Sequence, residues 1–115
     1  MNVGEVFLIP DGIGIHRYFV LAVLKDGSLV MCHFTSRGAR SDLTCIVQAG
    51  EHSSIDRETV VRYDQAHVCA ADRITNLESV ITKKLDPLSE ELFARVRQGA
   101  LDSSQTPDYI KDLLR

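Results

Sequence analysis

The sequence predicts an α+β protein that is mainly β, with five to six short strands forming a small, strongly bent barrel or half-barrel and helices at the C-terminus. Short apolar segments separated by turn residues occupy positions 1–71, whereas the apolar spacing over 72–115 is helical. No internal repeat or linker divides the 115 residues, a length that suits one core. We therefore expect a single domain, 1–115, with a β-barrel core over 1–71 and a helical C-terminal part, 72–115, packed on it.

The expected strands are separated by recognisable turns. The segment GEVFLIP ends at Pro10-Asp11-Gly12, three residues that together indicate a turn. The longer segment RYFVLAVLKDGSLVMCHFT has two apolar runs joined at Asp26-Gly27, which favours a tight hairpin because both residues tolerate a positive φ. We therefore predict strands near 17–24 and 28–35, a strand in LTCIVQA (43–49), and short strands in TVVRY and AHVCA.

Three helices are expected after the strands. ADRITNLESVITKK has apolar residues at helical spacing, although its threonine and asparagine are weak helix formers. In LSEELFARVRQGAL, Ser89 can cap the N-terminus and two glutamates follow in the first turn. TPDYIKDLL begins with Thr106 as a cap and Pro107 at the first helical position. Strands this short suit a barrel of SH3-like size, whose open edge or end the helices would cover.

The charge of the chain is mildly acidic throughout. The net charge is −3, with 6 basic and 8 acidic side chains over residues 1–70 and 7 and 8 over residues 71–115. Such a balance does not favour a protein that binds any polyanion through its overall field. A nucleic-acid site would have to be a local cluster of arginines.

Segments that would direct the chain to a membrane or out of the cell are not evident. The longest apolar run, Tyr18 to Leu24, is too short to cross a bilayer. The N-terminal MNVGEVFLIPDG has no basic segment ahead of its apolar residues, so it does not resemble a signal peptide. Three cysteines without a C-x-x-C pair are typical of reduced thiols in the cytosol. We expect a cytoplasmic protein with no membrane partner.

Several common kinds of site find little support in the spacing. DGIGIH (11–16) lacks the third glycine, the following helix and the lysine of nucleotide-binding loops, so a flexible loop is the better interpretation. The histidines and strand cysteines lack zinc-site spacing, and thiols in apolar strands are usually inert. We therefore expect no metal and no cofactor. The side chains considered for a metal are Cys32, His33, His52, His67 and Cys69.

A cluster of polar residues is expected at the open end of the predicted hairpin. If Asp26 lies at the turn, Arg17 and Thr35 are equally distant from it and become neighbours. His16-Arg17 and Thr35-Ser36 would then share one rim, with Arg37 and Arg40 approaching from the next loop. Arginine presents a planar fork to phosphate oxygens, and histidine can transfer a proton near neutral pH. An open rim of this kind suits a phosphodiester of an oligonucleotide, whereas the alternative is a solvated strand end.

The same residues occur in the order of a known family. Three segments stand in this order: Gly4-Glu5-Val6-Phe7, then His16-Arg17 before an apolar strand, then a second apolar strand that ends in Thr35-Ser36. In this order they resemble the PemK/MazF family, the toxins of type II toxin–antitoxin systems. Typical members have a proline after the arginine, where this chain has Tyr18.

The rest of the chain resembles a distant PemK-like branch. Three matching segments are Asp42 to Cys45, GEH at 50–52 and Tyr63. From Ser89 onward a series of short matches follows in the same order as in that branch: SEEL, R, GAL, S, TP, IK and L. Each segment is short, and their order over nearly the whole chain carries the resemblance.

The resemblance implies an SH3-like barrel of the PemK/MazF type and, in active members, a metal-independent endoribonuclease that uses the ribose 2′-hydroxyl as nucleophile. Arg17 matches the catalytic arginine and Thr35 the strand-end threonine or serine. At the rim described above, His16 or Thr35 would then assist proton transfer. Ser36, Arg37 and Arg40 would contact the RNA. The implied partners are single-stranded RNA, a cognate antitoxin and a second copy of the chain in a homodimer.

Two other functions fit the same residues. One is a catalytically silent SH3-like interaction module that binds a protein through its barrel and helices. The other is a phage or plasmid accessory protein that uses the arginine loop only for phosphate contact.

Overall fold

The computed structural model describes all 115 residues as one antiparallel sheet of seven strands with three helices. The strands are β1 (Val6–Pro10), β2 (Ile15–Val23), β3 (Leu29–Ser36), β4 (Ile46–Val47), β5 (Thr59–Val61), β6 (His67–Cys69) and β7 (Lys83–Leu85). The helices are α1 (Ile74–Val80), α2 (Glu90–Asp102) and α3 (Asp108–Leu114). The predicted fold class, α+β and mainly β, is confirmed.

The sheet is bent but not closed by hydrogen bonds. Its order is β4-β5-β3-β2-β1-β7, and β6 pairs with β3 beside β5. The opening between β4 and β7 is bridged by loops, because the His52 ring donates from Nε2 to the Asp86 carbonyl at 2.7 Å and the Ser53 hydroxyl donates to the Asp86 carboxylate at 2.6 Å. Of the two predicted alternatives, a barrel and a half-barrel, this open sheet corresponds to the half-barrel.

The hairpin of β2 and β3 turns where the sequence predicts. Asp26 accepts a hydrogen bond from Ser28 N at 2.9 Å, and Gly27 has a φ of +88°, a value that favours glycine. The register shifts by one residue between Val20 and Ala22, so that Arg17 pairs with Phe34 and not with Thr35. Such a bulge reverses the face on which every residue beyond it lies.

Two buried clusters hold the sheet and helices together. The larger lies on one face and joins the strands to α2 and α3; its largest side chains include Phe19, Phe34, Tyr63, Leu92 and Ile110. The smaller lies under α1 on the other face and contains Phe7, Val20, Leu29 and Met31. The α1 helix covers only part of that second face, and the uncovered part carries polar side chains.

The helices α2 and α3 begin close to where the sequence predicts. Ser89 caps α2, with its hydroxyl accepting a hydrogen bond from Leu92 N at 3.1 Å. Pro107 occupies the capping position of α3, one residue later than expected, and the Thr106 hydroxyl is buried without a partner. None of the helices is both long and apolar enough to cross a membrane.

Two predicted elements differ in the structure. The strand expected over 43–49 shortens to Ile46–Val47, because Asp42 accepts hydrogen bonds from both the amide and the hydroxyl of Thr44 and so forms a turn. The part expected to be helical contributes the strand Lys83–Leu85, which pairs with the free edge of β1. Three residues are too few for strand periodicity to show in a sequence.

Candidate active site

The register of β2 and β3 decides which predicted site residues meet. Directly paired residues share a face of a sheet, so Arg17 lies on the face of its partner Phe34, which is buried in the larger cluster. Thr35 and His16 occupy the alternate positions and lie on the other face. Arg17 is half-buried beside the β4–β5 loop, where its charge reaches Asp56. The structure therefore separates Arg17 from Thr35, although the sequence predicts them as neighbours.

A polar groove of about 350 Å³ lies at the end of β3. It contains no hydrophobic side chain, and its walls come from the end of β3, the loop that follows, the end of β5 and the segment before α3. The lining residues are Thr35, Ser36, Gly38, Arg40, Ser41, Asp42, Arg62, Asp64 and Gln105. The predicted site residues Thr35, Ser36 and Arg40 are thus brought together.

Arg62 and Asp64 form the part of the groove that sequence reasoning did not identify. Arg62 donates from Nε and Nη2 to the two carboxylate oxygens of Asp64, at 2.9 and 3.0 Å. These hydrogen bonds hold the pKa of the Asp64 carboxyl below its ordinary value. The available signal was the pattern Arg62-Tyr63-Asp64, in which two residues of opposite charge flank an aromatic residue directly after an apolar segment. In the structure the aromatic residue is fully buried.

The loop between β3 and β4 is fixed by its own hydrogen bonds. Gly38 N donates to the Ser41 hydroxyl at 2.8 Å, and the Asp42 carboxylate accepts from the Ser103 hydroxyl at the end of α2 at 2.5 Å. Asp42 is therefore occupied in holding the loop. Arg40 forms no ion pair with any side chain of the protein, so its charge is free to meet an anion in the groove.

Arg37 lies outside the groove lining. Its guanidinium pairs with Glu58, and its backbone N donates to the Glu58 carbonyl at 3.2 Å. This arginine ties the loop to β5.

A second group of polar rings lies next to the groove on the same face. The His16 and His33 ring centroids are 4.6 Å apart, and the Tyr18 centroid is 5.0 Å from that of His33. His16 Nε2 lies 2.7 Å from the Asp11 carboxylate. Arg62 connects the two groups, because its backbone N donates to the His33 carbonyl at 2.9 Å.

The cysteines and remaining histidines do not gather into a site. Nowhere do three or more His, Cys, Asp or Glu side chains come together in a way that could hold a metal ion. The three cysteines are unpaired, and burial raises the pKa of the Cys32 thiol to about 12. His52 uses both ring nitrogens to hold loops, Nδ1 with Ser54 and Nε2 with Asp86.

Comparison with known proteins finds similarity in structure but not in sequence. No protein-family model matches the chain, and no curated protein matches it. Among solved structures, a mycobacterial endoribonuclease in complex with its cognate antitoxin superposes with a TM-score of 0.61 at 14% identity, over 93% of this chain and 97% of that one. Identity at this level establishes the fold alone. The chain therefore has the fold of an endoribonuclease that binds a cognate antitoxin, in agreement with the resemblance to PemK/MazF toxins.

Proposed function

We propose that this protein is a metal-independent endoribonuclease that cleaves single-stranded RNA in the groove and acts as the toxin of a toxin–antitoxin pair. One observation carries the proposal: the groove places Thr35, Ser36 and the unpaired Arg40 around Arg62, in the fold of an endoribonuclease. The groove is open and wholly polar, as a segment of RNA backbone requires.

Cleavage by the ribose 2′-hydroxyl needs cationic stabilisation of the phosphorane, and donors fixed in advance provide it best. Arg62 is fixed by two hydrogen bonds to Asp64, and Arg40 is free to approach the phosphate. Hydroxyl groups of Thr35 and Ser36 can donate to the non-bridging oxygens. The resemblance assigns the catalytic arginine to Arg17, whereas the geometry favours Arg62 in that role.

The test is incubation of the purified chain with a long single-stranded RNA in the presence of a chelator. We expect discrete fragments with 2′,3′-cyclic phosphate ends. We expect Arg62→Ala to lower the cleavage rate about 10²–10³-fold, as removal of one preorganised donor does elsewhere, and Arg17→Ala to lower it less. The matched control is Arg57→Ala, which removes the same charge from an exposed side chain outside the groove lining.

Three results would contradict parts of this proposal. Intact RNA after prolonged incubation with the wild-type protein excludes the nuclease. RNA that is bound but not cut indicates the accessory role. Equal activity in Arg62→Ala and Arg57→Ala places the reaction outside the groove.

The toxin role is tested in cells. Induction should arrest growth, and co-expression of a short neighbouring gene product should reverse the arrest if it is the cognate antitoxin. We also propose that the protein acts in the cytoplasm, where its RNA substrate lies. A homodimer is part of the proposal, and sedimentation of the purified chain would test it.

A further inference from the structure

The two neighbouring imidazoles beside the groove are not fully used by the fold. The ring of His33 bonds through Nδ1 to the carbonyl of Phe34 at 3.2 Å. Because a carbonyl only accepts, Nδ1 carries the proton and Nε2 has a lone pair. His16 Nε2 faces the Asp11 carboxylate, which leaves its Nδ1 without a partner. Each ring therefore has one anchored nitrogen and one unoccupied nitrogen.

A structural histidine of the same chain shows the difference. His52 is as buried as His33, and both of its nitrogens make hydrogen bonds within the protein. His33 Nε2 makes none, yet the only fully buried side-chain polar atom without a partner is Thr106 Oγ1. His33 Nε2 therefore still reaches the surface, on the face that carries Thr35 and next to Arg62.

The charges around the pair are asymmetric. Burial is the main reason that the pKa of His33 lies below its ordinary value, and the charges of His16 and Arg62 act in the same direction. The hydrogen bond to the Phe34 carbonyl and the charge of Asp11 oppose this shift. The neutral ring of Tyr18 lies between His33 and His67, with centroids 5.0 and 6.2 Å away. The neutral form of the His33 imidazole is therefore favoured, whereas the His16 ring lies against a carboxylate.

Asp11 is held in position by its loop. Its Oδ1 accepts from the amides of Ile13 and Gly14, both at 3.2 Å, while Oδ2 faces His16. The DGIGIH segment is thus a compact turn that presents a carboxylate to the histidine. Asp11 is a positioning residue.

We propose that His33 and His16 are the general base and the general acid of RNA cleavage at this groove; the inference rests on the proposed nuclease function. His33 Nε2 removes the proton of the 2′-hydroxyl, whose oxygen forms a bond to phosphorus. The bond from phosphorus to the 5′-oxygen breaks, and His16 Nδ1 donates a proton to that oxygen. The products are a 2′,3′-cyclic phosphate and a 5′-hydroxyl, and one proton returns from His33 to His16 through water.

The first experiment is the pH dependence of kcat/KM on a short RNA for the wild type and single variants. We expect a bell-shaped profile. His33→Gln should lose about 10²–10⁴-fold in rate together with the acidic limb, and His16→Gln should lose the basic limb. Asp11→Asn, on an exposed loop, should lower the rate, because the His16 ring loses the carboxylate that holds it in position. His67→Gln is the matched control, an exposed histidine of the same face that should keep the wild-type profile.

The second experiment separates the acid from the base. In an RNA whose bridging 5′-oxygen is replaced by sulfur, the leaving thiolate needs no proton. His16→Gln should therefore cleave this substrate within about tenfold of the wild type, whereas His33→Gln should remain slow. Circular dichroism of each variant checks that the fold is retained.

The outcomes distinguish the two proposals. Suppose that the wild type cleaves RNA but His33→Gln keeps the acidic limb, or that the sulfur substrate restores cleavage by neither variant or by both. The assignment of the base and the acid to the two histidines is then wrong, while the nuclease function stands. If the wild type cleaves neither substrate, both proposals fail. Loss of the two limbs in the expected variants, with restoration of His16→Gln alone, supports the pair.

Discussion

Gly99 lies where α2 crosses the buried ring of Tyr63, and replacing it with alanine should destabilise the protein. A Cβ at this position would overlap the Tyr63 hydroxyl oxygen and would lie 2.9 Å from the ring carbon Cζ. It would also lie 3.2 Å from the Cβ of Cys45. Tyr63 is fully buried and its hydroxyl donates to the Val96 carbonyl at 2.7 Å, so neither the ring nor the helix can move freely.

The magnitude follows from three contributions. Alanine in a helix gains about 1 kcal/mol over glycine. Overpacking a core costs about 1–3 kcal/mol, and a buried hydroxyl that loses its acceptor costs about 1–3 kcal/mol more. The net loss in free energy of unfolding is therefore roughly 1–5 kcal/mol, which corresponds to about 10 °C in Tm at the centre of that range.

The assay is urea unfolding of Gly99→Ala, with Gly14→Ala as the control. Gly14 has open space around the position of a Cβ and no positive φ, so its replacement should be close to neutral. Tyr63→Phe removes the atom of closest approach, and in that background the penalty of Gly99→Ala should fall by at least about 1 kcal/mol. A Gly99→Ala protein as stable as the wild type would refute the reasoning.

Three further predictions concern capping, pH and salt. Ser89→Ala removes the cap of α2 and should lower the free energy of unfolding by about 1 kcal/mol in urea titrations, whereas Ser104→Ala, at an exposed position, should not. Because burial lowers the pKa of His33 in the folded state, its contribution to stability is complete above its ordinary value of 6.5 and declines as the pH falls below it. The slope should reach at most about 1.4 kcal/mol per pH unit, and His33→Gln should flatten it between pH 7 and 5. Arg40→Ala should reduce the salt dependence of RNA binding by about 0.7 in the slope of log K against log salt, and an unchanged slope would place Arg40 away from the phosphate.

The hairpin shows how far a turn can determine register. Asp26-Gly27 places the turn correctly, and the register expected from it holds for Val23 and Leu29. Beyond the irregularity between Val20 and Ala22 the ladder shifts by one residue, and the faces of Arg17 and Thr35 separate. The position of a bulge depends on how neighbouring strands and helices pack, and no local pattern in this sequence predicts it.

The groove could be predicted only in part for a related reason. Thr35 and Ser36 end β3 and Arg40 lies in the loop that follows, so these residues are close in sequence and meet under almost any fold of that hairpin. Arg62 and Asp64 directly follow β5, which pairs with the last residues of β3. That pairing is a long-range contact, and only the assembled sheet brings the arginine to the hydroxyls.

The sequence by itself determined the class of the fold, the central hairpin, the cap of α2, the faces of the helices and the location of a polar rim, because each depends on residues within a few positions of one another. The tertiary structure decided which side chains share a face. It separated Arg17 from Thr35, introduced Arg62 with Asp64, and placed His33 beside His16 with one nitrogen of each ring unoccupied. Those outcomes depend on strand register and on contacts between distant segments, which the folded chain alone specifies.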